Sequence, residues 1–400
     1  MPFGEEWWTT KIAHELHTFI AKNGLSDVKE FFEAKLDHWK HIKVNIAITG
    51  EAGAGKSSFI NKIRGLKDYQ PGAAKASVET DCTYQALQYP YPENPNIIFW
   101  DLPGIGTDNF PAEKYVEEVG LKKYDMYLIF MATRIPEGIS TLVEAISSSE
   151  KKFFFVRSKI DLDISNEIFS NEPGSISRED VLVKVRNDCL KILGKRIGCN
   201  EQDIFLISSR DDEKGEFSGL VKAIRDVLPT KEKRESFILS LGILNRLSTE
   251  TLKIIVEALE QRIWYVAAAS AVAALPPIPG VSAAADIAMI VKELKLYRSK
   301  LGLPDETSDT FKMLTDTTQA KVTIASSFVQ LATKSAAWLA PYATEAAAEE
   351  GARIFLPFIG SVIASALSFG TTYLALKDCL KTMEDAALAV LNEAAKEHLS

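Results

Sequence analysis

Residues 43–60 read KVNIAITGEAGAGKSSFI, and this segment is the strongest indication of the fold around it. Its first seven residues form a β-branched, apolar run that is typical of a buried strand. Gly50 to Ser57 then match the pattern GxxxxGK[ST], and a helical pattern begins at the end of that match. A strand, a glycine-rich loop and a helix in this order predict a P-loop. In such a loop, backbone N–H groups and the helix N-terminus surround phosphate oxygens.

The side chains of the P-loop have predicted roles. Lys56 is expected to reach the β- and γ-phosphates of a nucleotide, and the Ser57 hydroxyl is expected to bind Mg²⁺. The predicted nucleotide-binding residues of the loop are Gly50, Glu51, Ala52, Gly53, Ala54, Gly55, Lys56, Ser57 and Ser58.

A second motif, Asp101-Leu102-Pro103-Gly104, overlaps the end of the run PNIIFWD. Asp101 lies at the carboxyl end of a predicted buried strand, where an acidic residue of P-loop proteins belongs to the Mg²⁺ shell. Gly104 is expected to offer an unhindered backbone N–H to a γ-phosphate.

A third motif, Ser158-Lys159-Ile160-Asp161, follows the run KKFFFVR and approximates the [NT]KxD motif that selects guanine. The Asp161 carboxylate can accept hydrogen bonds from guanine N1–H and from the N2 amino group, a donor pair that adenine lacks. The stem of Lys159 can lie over the base. Ser208 and Ser209 end the next run, FLISS, where a backbone contact to the guanine carbonyl is expected.

Five apolar runs alternate with amphipathic stretches between residues 43 and 230, which predicts an α/β domain. The runs are KVNIAIT, NIIFW, YDMYLIFMA, KKFFFVRS and DIFLIS. They are β-branched or aromatic, which is typical of buried parallel strands, and the four motifs lie at their carboxyl ends. We therefore expect a mostly parallel P-loop GTPase sheet that binds GTP or GDP with Mg²⁺.

The remaining segments, residues 1–42 and 231–400, show helical patterns, clearest over residues 5–41. We expect the N-terminal and C-terminal helices to form one all-α domain. The basic cluster PTKEKRES at residues 229–236 is interpreted as a solvated linker at the boundary of the α/β domain.

Composition excludes several classes of protein. Lys and Arg total 46 against 54 Asp and Glu, a formal net charge of −8 that argues against a nucleic-acid partner held by phosphate contacts. Four scattered cysteines predict no disulfide framework and fit a reducing compartment.

The first residues lack the features of a signal peptide, and Pro2 stands where N-myristoylation needs glycine. We expect a cytoplasmic protein that is not secreted, and reversible association with intracellular membranes is compatible with this composition.

Residues 354–376, IFLPFIGSVIASALSFGTTYLAL, contain no charged side chain and are long enough to span a bilayer. The stretch also contains Pro357 and Gly360 and lacks flanking Lys and Arg enrichment. We interpret it as a buried helix of the all-α domain, with a membrane contact as the alternative.

Several of these strings together resemble one family. GEAGAGKSSFINKIRGL, GAAK, PNIIFWDLPGIGT, FFFVRSKID, ALPPIPGVS and FIGSVIASALSFGTTYLAL are similar to the immunity-related GTPases, the interferon-inducible p47-type group. Lysine in GKS is typical of the ordinary P-loop members. The resemblance implies a dynamin-like GTPase that self-assembles through its nucleotide domains and acts in cell-autonomous immunity at pathogen-vacuole membranes, with peripheral membrane contact through the helical domain.

The sequence departs from the pattern of small signalling GTPases after Gly104, where Ile105 replaces the glutamine that orients water. The resemblance implies that dimerisation of the nucleotide domains supplies the missing group, with Glu51 as the candidate participant. Ala76 stands where many members have threonine, so either Thr80 or Thr83 is the metal-binding threonine of switch I, and we favour Thr83. The predicted catalytic residues are Lys56, Glu51, Gly104 and Thr83, and the predicted metal ligands are Ser57, Thr83 and Asp101.

Two alternatives stay open at this point. The chain can be a nucleotide-gated interaction protein with negligible hydrolysis, which Ile105 and Ala76 would permit. It can also be an ATP-using P-loop protein, because Ser158 replaces the usual Asn or Thr of the guanine motif.

Overall fold

The computed structural model describes residues 4–24, 27–51, 53–75, 86–103, 120–131, 139–172, 174–210, 215–242, 248–273, 283–339 and 369–397. The chain divides into two compact units. Lys40–Leu247 form one, here called the sheet unit, and Met1–Trp39 with Ser248–Ser400 form the other, here called the helical unit.

The N-terminal segment is helical, as predicted for residues 5–41. Helix α1 spans Gly4–Asn23, α2 spans Val28–Asp37, and a short 3-10 helix follows at His38–His41. Phe31 of α2 lies against Phe19 of α1, with ring centroids 5.2 Å apart. The two helices therefore pack on each other through aromatic side chains.

Six strands form the sheet. They are β1 (Val44–Gly50), β2 (Leu87–Pro90), β3 (Ile97–Asp101), β4 (Met126–Met131), β5 (Lys152–Arg157) and β6 (Ile204–Leu206), in the spatial order β2-β3-β1-β4-β5-β6. Five of them are the predicted apolar runs, and all the pairs among those five are parallel, which confirms the expected fold class. The sixth, β2, is an antiparallel edge strand that the sequence analysis missed, because its side chains are largely exposed and it ends at a proline.

The described helices of the sheet unit are α3 (Lys56–Ile63), α4 (Ile139–Ser148), α5 (Ile160–Ser170), α6 (Arg178–Ile197), α7 (Phe217–Val227) and α8 (Lys231–Ser240). Alternate residues of β4 face opposite sides. Tyr127 and Ile129 join a buried cluster with residues of α4, α5 and α6. Phe130 contacts Phe59 of α3 at 5.2 Å between ring centroids, and Phe59 contacts Phe217 of α7 at 5.6 Å. Both faces of the sheet are covered, which explains why every residue of β4 is buried.

Helix α8 belongs to the sheet unit, which differs from the predicted boundary at residue 231 and from the interpretation of that segment as a solvated linker. Lys233 forms an ion pair with the largely buried Asp125 at 2.6 Å. The Ser240 hydroxyl accepts a hydrogen bond of 2.8 Å from the Asn94 side chain. These contacts hold α8 to the residues that precede β3 and β4, so the basic cluster here is partly paired.

The helical unit continues with α9 (Thr249–Ala273), α10 (Ala283–Lys300), α11 (Asp309–Met313), α12 (Asp316–Leu339) and α13 (Phe369–Glu397). Helix α9 packs against α2 and α13, and α12 packs against α10 and α13. Arg262 of α9 forms a buried ion pair with Glu293 of α10, at 2.6 and 2.9 Å, and donates to the Leu36 carbonyl of α2 at 2.7 Å. N-terminal and C-terminal helices thus share one interior.

Within the described part of the chain, no helix has the length and apolar character needed to cross a membrane. Residues 369–376, the end of the uncharged stretch, form the start of α13. Residues 354–368 lie outside the described residues, so the interpretation of this stretch as a buried helix stays a prediction.

Candidate nucleotide-binding site

The P-loop joins β1 to α3 as the sequence pattern predicts. Gly50 has a φ of +133°, and a Cβ at this position would lie 2.0 Å from the carbonyl oxygen of Phe130 in β4. Gly55, the N-cap of α3, has a φ of +88°, and a Cβ here would lie 2.8 Å from the Ser158 hydroxyl oxygen. Only glycine fits at these two positions, because a side chain would meet both steric overlap and a disfavoured backbone conformation.

The side chain of Lys56 folds back over the loop. Its ammonium group donates to the carbonyl oxygens of Gly50, at 2.9 Å, and Glu51, at 3.0 Å. Burial lowers the pKa of Lys56, while the carboxylates of Asp101 and Glu51 act in the opposite direction. The ammonium group is therefore held at the mouth of the loop with both acidic side chains in electrostatic reach.

Asp101 lies at the end of β3, opposite Ile48 of β1. Burial raises the pKa of its carboxyl group, and the Lys56 ammonium opposes that shift. Its Oδ1 atom is buried and has no hydrogen-bond partner among the described residues. A buried carboxylate oxygen without a donor, beside a lysine, is a site that a divalent cation would satisfy.

Ser158 connects the P-loop to the predicted guanine motif. Its side chain is 2% exposed, and its hydroxyl donates to the Ala54 carbonyl in the P-loop. The serine that replaces the usual first residue of the guanine motif therefore still holds the phosphate-binding loop.

The rest of the guanine motif opens α5. Lys159 is the N-cap and has a left-handed φ of +60°, which is uncommon for a residue with a side chain. Asp161 lies in the first turn and is partly exposed. Among the described residues, its carboxylate has no hydrogen-bond donor or ion-pair partner. The carboxylate is thus available to a ligand.

Ser208 and Ser209 follow β6, next to the guanine motif. The Ile160 backbone N–H donates to the Ile207 carbonyl at 3.2 Å, which brings the two segments together. Ser208 is 1% exposed. The hydroxyl oxygen of Ser209 is buried and has no hydrogen-bond partner within the described residues.

The structure brings most of the predicted residues to one edge of the sheet. Ser57 and Ser58 are partly buried at the start of α3. Six positions discussed for the site lie outside the described residues, namely Ala52, Ala76, Thr80, Thr83, Gly104 and Ile105. Their predicted roles stay predictions.

Two residues of α3 were missed by the sequence analysis. Asn61 is 2% exposed and bonds both backbone groups of Ala74, donating to its carbonyl at 2.9 Å and accepting from its N–H at 2.6 Å. The Lys62 ammonium donates to the Ser208 carbonyl at 2.8 Å. The only available signal was the string FINKI, where an asparagine stands among apolar residues on the inward side of a helix.

Comparison with known proteins identifies the family. The family described as "Interferon-inducible GTPase (IIGP)" matches residues 9–394. Interferon-inducible GTPase 1 of Mus musculus is 37% identical over 265 residues, which is 66% of this chain and 62% of that protein. The chain therefore covers less than two thirds of the length of that relative.

Two further relatives are matched over more of their length. Interferon-inducible GTPase 5 of Rattus norvegicus is 31% identical over 372 residues, covering 89% of this chain and 76% of that protein. T-cell-specific guanine nucleotide triphosphate-binding protein 2 of Mus musculus is 36% identical over 290 residues, covering 72% of this chain and 68% of that protein. The resemblance noted from the motifs is confirmed, and the chain belongs to the interferon-inducible GTPase family.

Proposed function

We propose that this chain, as a GTPase of the interferon-inducible family, binds GTP and GDP with Mg²⁺ at the P-loop edge of its sheet and hydrolyses GTP in assembled complexes. The observation that carries the proposal is the hydrogen bond from Ser158 to the Ala54 carbonyl. This hydrogen bond links the phosphate-binding segment to the guanine-selecting segment. A single ligand with both phosphates and a guanine base therefore fits the site.

The phosphates would lie in the P-loop. The Lys56 ammonium would exchange its hydrogen bonds to two loop carbonyls for contacts with β- and γ-phosphate oxygens. Burial lowers the pKa of Lys56, and the negative phosphates would favour its charged form. The unsatisfied oxygen of Asp101, with the Ser57 hydroxyl, fits Mg²⁺, and Thr83 is the proposed switch ligand. When bound, the metal ion would neutralise charge on the β- and γ-phosphates. Gly104 is proposed to donate its N–H to the γ-phosphate.

The base would lie between the start of α5 and the residues after β6. Asp161 is proposed to accept from guanine N1–H and from the N2 amino group, and the stem of Lys159 to cover the ring. The Ser208–Ser209 segment is proposed to donate to the guanine carbonyl. Adenine, without the N1–H and N2 donors, would leave the Asp161 carboxylate unpaired.

Hydrolysis is proposed to need a second copy of the chain. Ile105 cannot orient or deprotonate water, so an isolated copy should turn over slowly. Glu51 is partly exposed beside the phosphate site and is the proposed participant in contacts across two nucleotide sites. The resemblance to immunity-related GTPases supports a dynamin-like cycle of assembly in cell-autonomous immunity. It also supports peripheral contact of the helical unit with pathogen-vacuole membranes.

The test is GTP turnover per molecule, measured with Mg²⁺ over a hundredfold range of protein concentration. We expect the rate per molecule to rise with concentration and then to level off. Glu51→Gln should flatten that rise, while Glu172→Gln, an exposed control outside the site, should not. A wild-type rate per molecule that is constant over the range would refute the assembly step. Phosphate release that never exceeds background would favour the nucleotide-gated interaction protein.

A further inference from the structure

The peptide group between Ser208 and Ser209 is held from the P-loop helix. Lys62 of α3 is partly buried, and its ammonium group donates to the Ser208 carbonyl at 2.8 Å. The same ammonium group lies 4.5 Å from the ring centroid of Phe217, which is 2% exposed. The buried aromatic ring restricts the lysine side chain, so the direction of the Ser208 carbonyl is also restricted.

The orientation of this carbonyl fixes the orientation of the next N–H. A trans peptide group is planar, and its C=O and N–H point in opposite directions. With the Ser208 carbonyl directed at Lys62, the Ser209 N–H is directed away from α3. Among the described residues, that N–H has no acceptor, and the Ser209 hydroxyl oxygen is buried without a partner. Two hydrogen-bonding groups of Ser209 therefore remain for a ligand.

The chain just before this peptide is fixed on both sides. The Glu216 N–H donates to the Leu206 carbonyl at 2.7 Å, and the Glu216 carboxylate accepts from the Leu206 N–H at 2.9 Å. Gly215 approaches so closely that a Cβ there would lie 2.8 Å from the Leu206 carbonyl oxygen. Beyond these contacts, the Arg210 N–H donates to the Ser208 hydroxyl at 3.1 Å, and the Lys62 ammonium contacts the Ser208 carbonyl directly.

We propose that Lys62 is a specificity-determining positioning residue, which holds the Ser208 carbonyl so that the Ser209 N–H faces the 6-oxo group of a guanine base. The proposal rests on the guanine site described above and names a determinant of its selectivity. Guanine presents an acceptor at position 6, whereas adenine presents an amino donor there. The fixed N–H therefore favours guanine and opposes adenine.

The experiment is a double-mutant cycle between the Lys62 side chain and the 6-position of the base. Equilibrium affinities are measured for GDP and for 2-aminopurine riboside diphosphate, which lacks the 6-oxo group and the N1–H, with wild-type protein and Lys62→Met. Asp161 is the same in both proteins, so the loss of N1–H cancels when the two preferences are compared. Methionine is unbranched like lysine and one heavy atom shorter, so it keeps the apolar stem over Phe217 but donates no hydrogen bond. We expect the preference for GDP over the 2-aminopurine nucleotide to fall by roughly three- to tenfold, the equivalent of one hydrogen bond. Lys62→Arg, which can still donate, and Lys67→Met, an exposed control, should keep the preference.

If Lys62→Met loses the same affinity for the two nucleotides, or loses none for either, the proposed role of Lys62 is overturned. Amide exchange in the wild-type protein gives a second readout that needs no variant. The Ser209 amide should exchange more slowly with GDP than with the 2-aminopurine nucleotide, and equal rates would also overturn the proposal. A wild-type protein that binds GDP and ADP equally would instead refute the guanine site itself, so the two failures are distinguishable.

Discussion

Asn61 holds the segment around Ala74, which precedes the predicted switch I region. Asn61→Leu tests how much the hydrogen bonds between Asn61 and Ala74 stabilise that segment. The asparagine donates to the Ala74 carbonyl at 2.9 Å and to Asp68 at 2.8 Å, and accepts from the Ala74 N–H at 2.6 Å. Asn61 and Ala74 are each 2% exposed, so water cannot replace the lost partners. Leucine has the same branching and the same number of side-chain heavy atoms, but no polar atom. The variant therefore leaves the N–H and C=O groups of Ala74 unpaired.

The expected cost follows from these two groups. An unsatisfied buried backbone donor or acceptor costs about 1–3 kcal/mol, and the gain from burying leucine offsets part of the sum. We expect about 2–4 kcal/mol of local destabilisation, which corresponds to roughly 30- to 900-fold faster opening of this segment. The contact with Asp68 adds little, because that carboxylate is exposed and can bind water instead.

Hydrogen exchange of the Ala74 amide measures this effect, with the buried amides of β4 as an internal reference. Asp68→Asn is the matched control, since it alters only the exposed partner of Asn61, and it should change the exchange rate by less than about threefold. An Ala74 rate in Asn61→Leu within threefold of the wild-type rate would show that the Asn61 hydrogen bonds do not stabilise this segment. An equal acceleration in β4 would count against a local effect, because the damage would then be global.

Three further predictions concern other parts of the chain. Arg262→Met should lower the free energy of unfolding of the helical unit by about 3–5 kcal/mol, because it leaves Glu293 buried without its partner. Adding Glu293→Leu should recover most of that loss, as measured by denaturant unfolding. Equal losses in the single and double variants would contradict the role of the buried ion pair. Gly50→Ala should abolish the folded sheet unit, whereas Gly53→Ala, with open space around its Cβ, should cost only about 1 kcal/mol, as circular dichroism would show. Cys379 should resist alkylation at pH 8 until the protein unfolds, because burial and the charge of the neighbouring Asp378 raise its pKa to about 12; rapid labelling of the folded protein would contradict this.

The strands that the sequence predicts are those whose residues are buried on both faces. The string MYLIFM at 126–131 consists of apolar and aromatic residues, and in the structure all six are buried between two layers of helices. The edge strand Leu87–Pro90 has only one strand neighbour and largely exposed side chains. Its sequence therefore has no continuous apolar pattern to detect.

The phosphate-binding part of the site is predictable for a different reason. Its residues are contiguous from Gly50 to Ser58, and the glycine positions follow from backbone geometry within that loop. The contacts that position the site are not contiguous. Lys62 and the Ser208 carbonyl are separated by 146 positions in the chain, and Ser158 by 104 from Ala54. Nothing in a local pattern indicates such pairs before the fold is known.

The boundary of the sheet unit is likewise set by contacts that a local sequence pattern does not indicate. The string PTKEKRES is polar and basic, which favours a linker when it is read alone. In the structure, Lys233 pairs with Asp125, and the guanidinium of Arg234 donates to the Leu228 carbonyl at 2.8 Å. Charged residues that have fixed partners form part of a unit, and only the three-dimensional contacts distinguish them from solvated ones.

Asp161→Asn gives the sharpest test of guanine binding at this edge of the sheet. An asparagine at this position can accept from N1–H and donate to the 2-oxo group of xanthine, but cannot accept from both guanine donors. We predict that the wild-type protein binds GDP at least about tenfold more tightly than xanthosine diphosphate, and that Asp161→Asn reverses the order. Asp163→Asn, at the ion-paired carboxylate two residues further along α5, should keep the wild-type order. If Asp161→Asn still prefers GDP with wild-type affinity, the Asp161 carboxylate does not recognise guanine.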